Sequence, residues 1–133
     1  MRLARKLAAL AVTAVALVGL SAVSAAPTSA ATGKNGVVES GEFGLYYVTG
    51  SSGLVFDLFV SDDNFSNDVF PGTSIIADNN TESYRNRDSF WWHVFTGYGY
   101  TGSHGCLPPG HVGNASVTFK NTISSAYYSS ASC

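Results

Sequence analysis

The sequence predicts an all-β fold, a small sandwich or barrel, on three observations. From Val37 onward the chain is rich in Val, Phe, Tyr, Thr, Ser, Gly and Asn, with Leu, Glu and Lys scarce, which is the composition of strands. Its apolar runs are short, and turn formers punctuate them: Gly50-Ser51-Ser52-Gly53, Ser61-Asp62-Asp63-Asn64, Asp78-Asn79-Asn80 and Pro108-Pro109-Gly110. Three landmarks recur in order about 35 to 41 residues apart, the mark of a duplicated unit. Val60, Phe65 and Asn67 precede Phe95, Tyr100 and Gly102. Phe70-Pro71-Gly72 precedes Pro108-Pro109-Gly110, and Asn80-Thr81-Glu82-Ser83 precedes Asn121-Thr122-Ile123-Ser124.

The first 25 residues read as a secretory signal. Arg2, Arg5 and Lys6 give a basic start, residues 7–20 are apolar and uncharged, and Val23-Ser24-Ala25 offers a small-residue cleavage site, with Ala30 and Ala31 as alternatives. The apolar run falls short of the roughly 20 residues a membrane span needs. The exported chain is therefore expected to be extracellular, and a membrane partner is not expected once the leader is gone. Removing 25 of 133 residues leaves 108, enough for one domain with a modest core. Four basic residues (Lys34, Arg85, Arg87 and Lys120) then face nine acidic ones, a net charge of −5. There is no basic stripe, so nucleic acid is excluded as a partner.

Residues 26–36, mostly Ala, Thr, Ser, Gly and Pro, are expected to be a flexible lead-in to a domain over 37–133, its two repeats falling at about 37–85 and 86–133. Within it the strand candidates run 43–48, 54–60, 74–77, 90–96, 116–120 and 123–128. The most apolar segment, Phe90-Trp91-Trp92-His93-Val94-Phe95, is expected at the centre of the core, with strand alternation burying one tryptophan and exposing the other. Only two cysteines are present, Cys106 and the terminal Cys133. In an exported chain they are expected to form a disulfide; two free thiols are the alternative. A bridge closing about 27 residues stabilises by about 3 kcal/mol and fastens the C-terminus.

Phe95, Tyr100 and Gly102 suggest a folded-back hairpin. Phe95 ends a strand, a glycine-containing turn follows, Tyr100 lays its ring beside Phe95, and Gly102 supplies a backbone angle that side chains resist. In the upstream copy Asn67 stands in the glycine place, where asparagine is tolerated. Ser83 and Ser124 lie where a hydroxyl can bond back onto each hairpin. In this pattern the chain resembles the βγ-crystallin superfamily, whose Greek-key motif spaces two aromatics, a glycine and a later serine in this way. Asn86-Arg87-Asp88, Trp91, Phe95, Tyr100, Gly102, Asn121 and Ser124-Ser125 make it most similar to the secreted βγ-crystallin-type peptidase inhibitors of actinobacteria, which include metalloproteinase inhibitors. The resemblance covers residues 37 to 129. It implies two Greek-key motifs in a βγ-crystallin-like β-sandwich, a monomer without catalytic activity, and an extracellular protease as partner. Family members often carry a cysteine pair in the first half, which this chain lacks.

Many domains of the superfamily bind calcium through paired Asn/Asp and Ser/Thr residues, so the resemblance also implies a weak Ca2+ set: Asn79, Asn80, Thr81 and Ser83 with Asn121, Thr122, Ser124 and Ser125. Tyr84 and Lys120 stand where such loops place ligands, which argues against strong binding. No cofactor is required. His93, His104 and His111 are spaced 11 and 7 residues apart, unlike the usual zinc patterns. Asp62, Asp63 and Asp68 read as a solvated turn rather than a pair of catalytic carboxylates. For an inhibitory loop the sequence points to residues 103–112, Gly- and Pro-rich and tethered at Cys106, with Ser103, His104, Gly105 and Leu107 as contact residues. A calcium- or carbohydrate-binding module, with Trp91, Trp92, Tyr98 and Tyr100 as stacking surfaces, or an antimicrobial secreted protein, is the alternative function.

Overall fold

The protein is described from a computed structural model covering residues 31–133. The leader at 1–25 and its cleavage sites at Ala25 and Ala30 lie outside the described residues. Seven strands follow in order: β1 (Phe43–Val48), β2 (Ser52–Leu58), β3 (Ser83–Asn86), β4 (Trp91–Phe95), β5 (His104–Leu107), β6 (Val112–Asn114) and β7 (Ser125–Ser129). A single 3-10 turn covers Phe65–Asn67, and there is no α-helix among the described residues.

All pairings are antiparallel. One sheet has the order β2-β1-β3-β6 and the other β5-β4-β7. The two halves exchange a segment. β6, from the second half, closes the first sheet by pairing Ser83 with Asn114 and Arg85 with Val112. In return Asp62, from the first half, bridges Ala126 on the free edge of β7. Each half is thus a Greek key whose third segment belongs to the other's sheet.

The core lies between the sheets. Phe43, Leu45, Phe56 and Leu58 face Trp92, Val94, Leu107, Ala126 and Tyr128, and Phe65, Phe70, Ala77 and Ile123 fill in from the connections. Phe43 stacks on Trp92 with ring centroids 5.0 Å apart, and Phe56 meets Phe65 edge-on at 5.0 Å. Burying each of these side chains contributes about 1.5–3 kcal/mol. Strand alternation separates the two tryptophans: Trp92 is fully buried and Trp91 half-buried.

Residues 31–36 are not the free lead-in the composition suggests. Two buried carboxylates hold them to the first sheet. Asp57 accepts from the Asn35 and Gly36 amides at 3.0 and 2.7 Å, and Glu42 accepts from the Gly33 amide at 2.6 Å. The Lys34 amide adds a bond to the Asp57 carbonyl at 2.7 Å. A Ser/Gly-rich composition leaves a chain flexible only when nothing captures its amides, and β1 and β2 bring two acceptors. Strand expectations at 74–77 and 116–120 also give way. Ile76 makes an isolated bridge to Val69, and Phe119 and Lys120 donate to the Ser116 carbonyl in a turn.

Candidate functional site

The folded hairpin stands where β4 meets β5. Phe95 and Tyr100 have ring centroids 5.9 Å apart. Tyr100 itself has a φ of 62° and Gly102 one of 84°. At Gly102 a Cβ would lie 2.5 Å from Thr96 Oγ1, so glycine is required by space as well as by backbone angle. The serine that closes the hairpin is Ser125, not Ser124. Its buried hydroxyl donates to the Gly97 carbonyl at 2.6 Å and accepts from the Tyr100 amide at 3.1 Å. The first copy is the β1–β2 hairpin. Ser83 Oγ donates to the Val48 carbonyl and accepts from the Ser51 amide at 2.9 Å. Ser51 and Gly53 repeat the positive φ values, at 51° and 77°. Tyr46, Ser51 and Gly53 each precede Phe95, Tyr100 and Gly102 by 49 residues, and Tyr46 pairs with Val55 as Phe95 pairs with His104.

Val60, Phe65 and Asn67 are therefore not the first hairpin. Phe65 and Asn67 sit in the 3-10 turn, Asn67 is not among the residues of positive φ, and Phe65 is a core side chain. The sequence signal was blurred because Ser51 stands where the second copy has the aromatic Tyr100.

The two asparagine loops cross-link reciprocally. The Asn79 amide donates to the Ile123 carbonyl at 3.2 Å, and the Asn121 amide to the Thr81 carbonyl at 2.8 Å, each asparagine having a φ near 60° (60° and 57°). This register aligns Asp78 with Lys120, Asn79 with Asn121 and Glu82 with Ser124. Beside the second loop the Lys120 ammonium lies 3.9 Å from the Glu82 carboxylate, which also accepts from Asn121 Nδ2 at 3.0 Å. A cation is built into that place, and its residues do not fit Ca2+. Beside the first loop Ser124 Oγ donates to Asn79 Oδ1 at 3.3 Å, and Asp78 Oδ1 is buried without a hydrogen-bond partner. That is an oxygen set with a single carboxylate, compatible with a weakly held hard cation. The other expected ligands are engaged elsewhere. Asn80 Nδ2 donates to the Ile76 carbonyl and Thr122 Oγ1 to the Thr118 carbonyl, while Ser83 and Ser125 close the hairpins. Thr81 is fully buried, its hydroxyl unpartnered.

Residues 104–107 are not a protruding loop. They form β5, laddered to β4 through Phe95–His104, Val94–Gly105 and Trp92–Leu107, with Leu107 buried and Ser103 donating its amide to Thr96 Oγ1 at 2.9 Å. An extended pairing partner gives Gly105 and Cys106 a regular structure that their composition does not announce. Cys106 and Cys133 are disulfide-bonded with Cα atoms 5.9 Å apart. His93 and His104 lie beside that bridge, whereas His111 stacks on Tyr84 on the other sheet.

A different loop has the shape of an exposed, pre-ordered ligand. Residues 68–77 form a tight hairpin: the Ala77 amide donates to the Asp68 carbonyl at 3.0 Å, Phe70 to Ile75 at 2.8 Å and Thr73 back to Phe70 at 3.0 Å. Thr73 Oγ1 reinforces the tip, donating to Phe70 at 2.8 Å and accepting from the Ile75 amide at 3.0 Å. Phe70 and Ala77 anchor it in the core, and their chain neighbours Val69 and Ile76, opposite each other, are 43% and 48% exposed. At its base Lys34 Nζ clamps Asp68 at 2.9 Å and Asp62 at 2.7 Å. Both aspartates thus share one ammonium, and burial with Asp62 beside it raises the Asp68 carboxyl.

Two sheets with exchanged Greek-key segments define the βγ-crystallin fold, and solved structures agree. Over 68% of this chain and 86% of the other, it is similar to a structure described as "Evolution of the eye lens beta-gamma-crystallin domain fold", with a TM-score of 0.57 and 15% identity. A double mutant of a βγ-crystallin domain from Clostridium beijerinckii gives 0.54 at 14% identity, covering 68% and 98%; a βγ-crystallin from Ciona intestinalis gives 0.51 at 20%, covering 67% and 100%. At such identities the likeness concerns the fold. No curated protein matches the chain. The model of peptidase inhibitor family I36 matches residues 31–107, more than half of the sequence, and the chain belongs to that family.

Proposed function

We propose that this is a secreted, non-catalytic peptidase inhibitor that presents the hairpin at 68–77 to the cleft of an extracellular protease. Membership of family I36, through a match that contains this hairpin, is the observation that carries the reading. The geometry supports the mechanism. A cleft binds an extended segment best when its conformation is already paid for, and here five backbone and side-chain bonds fix residues 68–77 before any partner arrives. Val69 and Ile76 supply an aliphatic anchor in the open, while Phe70 and Ala77 root the backbone in a rigid core. Internal hydrogen bonding also holds the hairpin together if one peptide bond is cut, which slows release of the cleaved segment.

The test is inhibition of a panel of metallo- and serine proteases by the purified protein at micromolar concentration, with Val69→Asp/Ile76→Asp alongside. Both positions are exposed, so the double variant is expected to keep its melting temperature and to lose about 30-fold in inhibition, the worth of a hot spot of about 2 kcal/mol. Unchanged inhibition by the variant rules out this hairpin as the contact. Failure of the wild type against the whole panel rules out the inhibitor reading.

A further inference from the structure

The disulfide sits inside a set of metal ligands. His93 and Cys106 are cross-strand partners on β4 and β5, and His104 follows on the same face two residues before Cys106. The tail after β7 brings Cys133 to the same place. One donor atom from each of His93, His104, Cys106 and Cys133 lies within 4.8 Å of the others. His93 Nδ1 is 2.8 Å from His104 Nε2, and Cys106 Sγ is 3.3 Å and 3.4 Å from those two nitrogens. A tetrahedral zinc ion with Zn–N near 2.0–2.1 Å and Zn–S near 2.3 Å holds neighbouring donors about 3.3–3.8 Å apart. Small movements of the imidazoles reach that spacing once the sulfurs separate.

The rings are oriented for it. His93 Nε2 is 2.9 Å from the Ala131 carbonyl, and a carbonyl only accepts, so Nε2 carries the hydrogen and the Nδ1 lone pair points at the cluster. A backbone carbonyl on the far nitrogen is the usual support of a metal-ligating histidine. His93 is buried and stacks on Tyr127 at 4.7 Å; His104 stacks on Phe95 at 4.6 Å. His104 and Cys133 are exposed, which leaves an entry path.

We propose that the reduced protein binds one zinc-class ion through His93 Nδ1, His104 Nε2, Cys106 Sγ and Cys133 Sγ, so that a metal and a disulfide are alternative clamps on the C-terminal tail. The reductant is a dithiol of the thioredoxin class. It gives two electrons and two protons to the S–S bond, becoming a disulfide itself and leaving two protein thiols. Zn2+ then displaces both thiol protons, and His104 keeps its single proton by carrying it on Nδ1. Two thiolates and two neutral imidazoles leave the site uncharged around the dication and form a common structural zinc set. The spacing in sequence is unlike a zinc finger because the register of β4 and β5 assembles the ligands.

Titration of the purified protein with cobalt(II), then zinc(II), tests this after reduction by a phosphine, which gives two electrons to the disulfide and takes its oxide oxygen from a water molecule whose two protons go to the thiols. Expected are one equivalent of cobalt with tetrahedral ligand-field bands and thiolate charge transfer, displacement by zinc, and at least about tenfold weaker binding in His104→Ala, an exposed position. His111→Ala is expected to bind as the wild type does. If reduction loosens the fold, zinc is expected to restore the near-ultraviolet dichroism, since metal binding is then folding free energy. The proposal is overturned by absent thiolate bands, by His104→Ala binding unchanged, by equal affinity in the oxidised protein, or by zinc failing to restore a loosened fold.

Discussion

Replacing Ser125 by alanine separates the hairpin mechanism from its neighbour in sequence. Ser125 Oγ bonds the Gly97 carbonyl at 2.6 Å and the Tyr100 amide at 3.1 Å, and these are the groups that pin the folded turn to β7. Alanine leaves both backbone groups half-buried without a partner, at about 1 kcal/mol each, or roughly 2 kcal/mol in all. For a domain of this size that lowers the melting temperature by roughly 10 °C. Ser83→Ala strips the Val48 carbonyl and the Ser51 amide in the same way and is expected to cost a similar amount. Ser124→Ala loses one side-chain bond of 3.3 Å to Asn79, and its cost is expected to stay below about 1 kcal/mol. Urea and thermal unfolding of the three variants give the comparison. A Ser124 variant as damaged as the Ser125 variant, or a Ser125 variant within about 0.5 kcal/mol of the wild type, refutes the reasoning.

Two further outcomes follow from buried charge. Burial, with Asp57 and Glu39 nearby, raises the Glu42 carboxyl from its ordinary 4.5 to about 7, against the pull of the Gly33 and Glu39 amides. Between those values the folded state holds a proton that the unfolded state has released, so stability is full below pH 4.5 and falls as pH rises to about 7, by at most about 3 kcal/mol. Glu42→Gln is expected to flatten that fall in urea midpoints measured across the range; an unchanged slope places the titration elsewhere. Calcium is expected to act at the Asp78 side only, with Kd of about 10⁻⁴–10⁻³ M, and to stabilise by about 1.4 kcal/mol at tenfold excess over Kd. Asp78→Asn is expected to remove that shift in melting temperature, and its persistence counts against the site.

What could be read in the sequence was what local chemistry decides. Strand composition and punctuation lead to two sheets, residues 43–48 are β1 as the run of strand formers suggests, and the tandem tryptophans divide into one buried and one half-buried. What could not be read depends on pairing. β3 is Ser83-Tyr84-Arg85-Asn86, too polar to announce a strand, yet Asn86 is buried because its Nδ2 donates to the Phe90, Leu107 and Pro108 carbonyls. β5 looked like a loop, and with it went the register that sets His93 against Cys106. The sequence groups the histidines with His111 and pairs the cysteines alone, because only the cross-strand register shows that His93, His104 and both cysteines meet. Similarly, the duplicated unit is visible, but Phe65 and Asn67 suggest a wrong offset because the true first hairpin carries Ser51 where the second carries Tyr100.

The exchange of segments explains why the halves must act together. The family match ends at Leu107, yet the first sheet gains its fourth strand only from β6, and β4 gains its second neighbour only from β7. Asp62 returns the exchange on the far edge of β7, and the Asn79 and Asn121 amides bind the two loops reciprocally. The inhibitory hairpin proposed at 68–77 lies between these links: Asp62 is tied to Ala126 before it, and Asn79 to Ile123 after it. β7 and the loop preceding it thus hold the chain on either side of the hairpin, whose own bonds fix its tip.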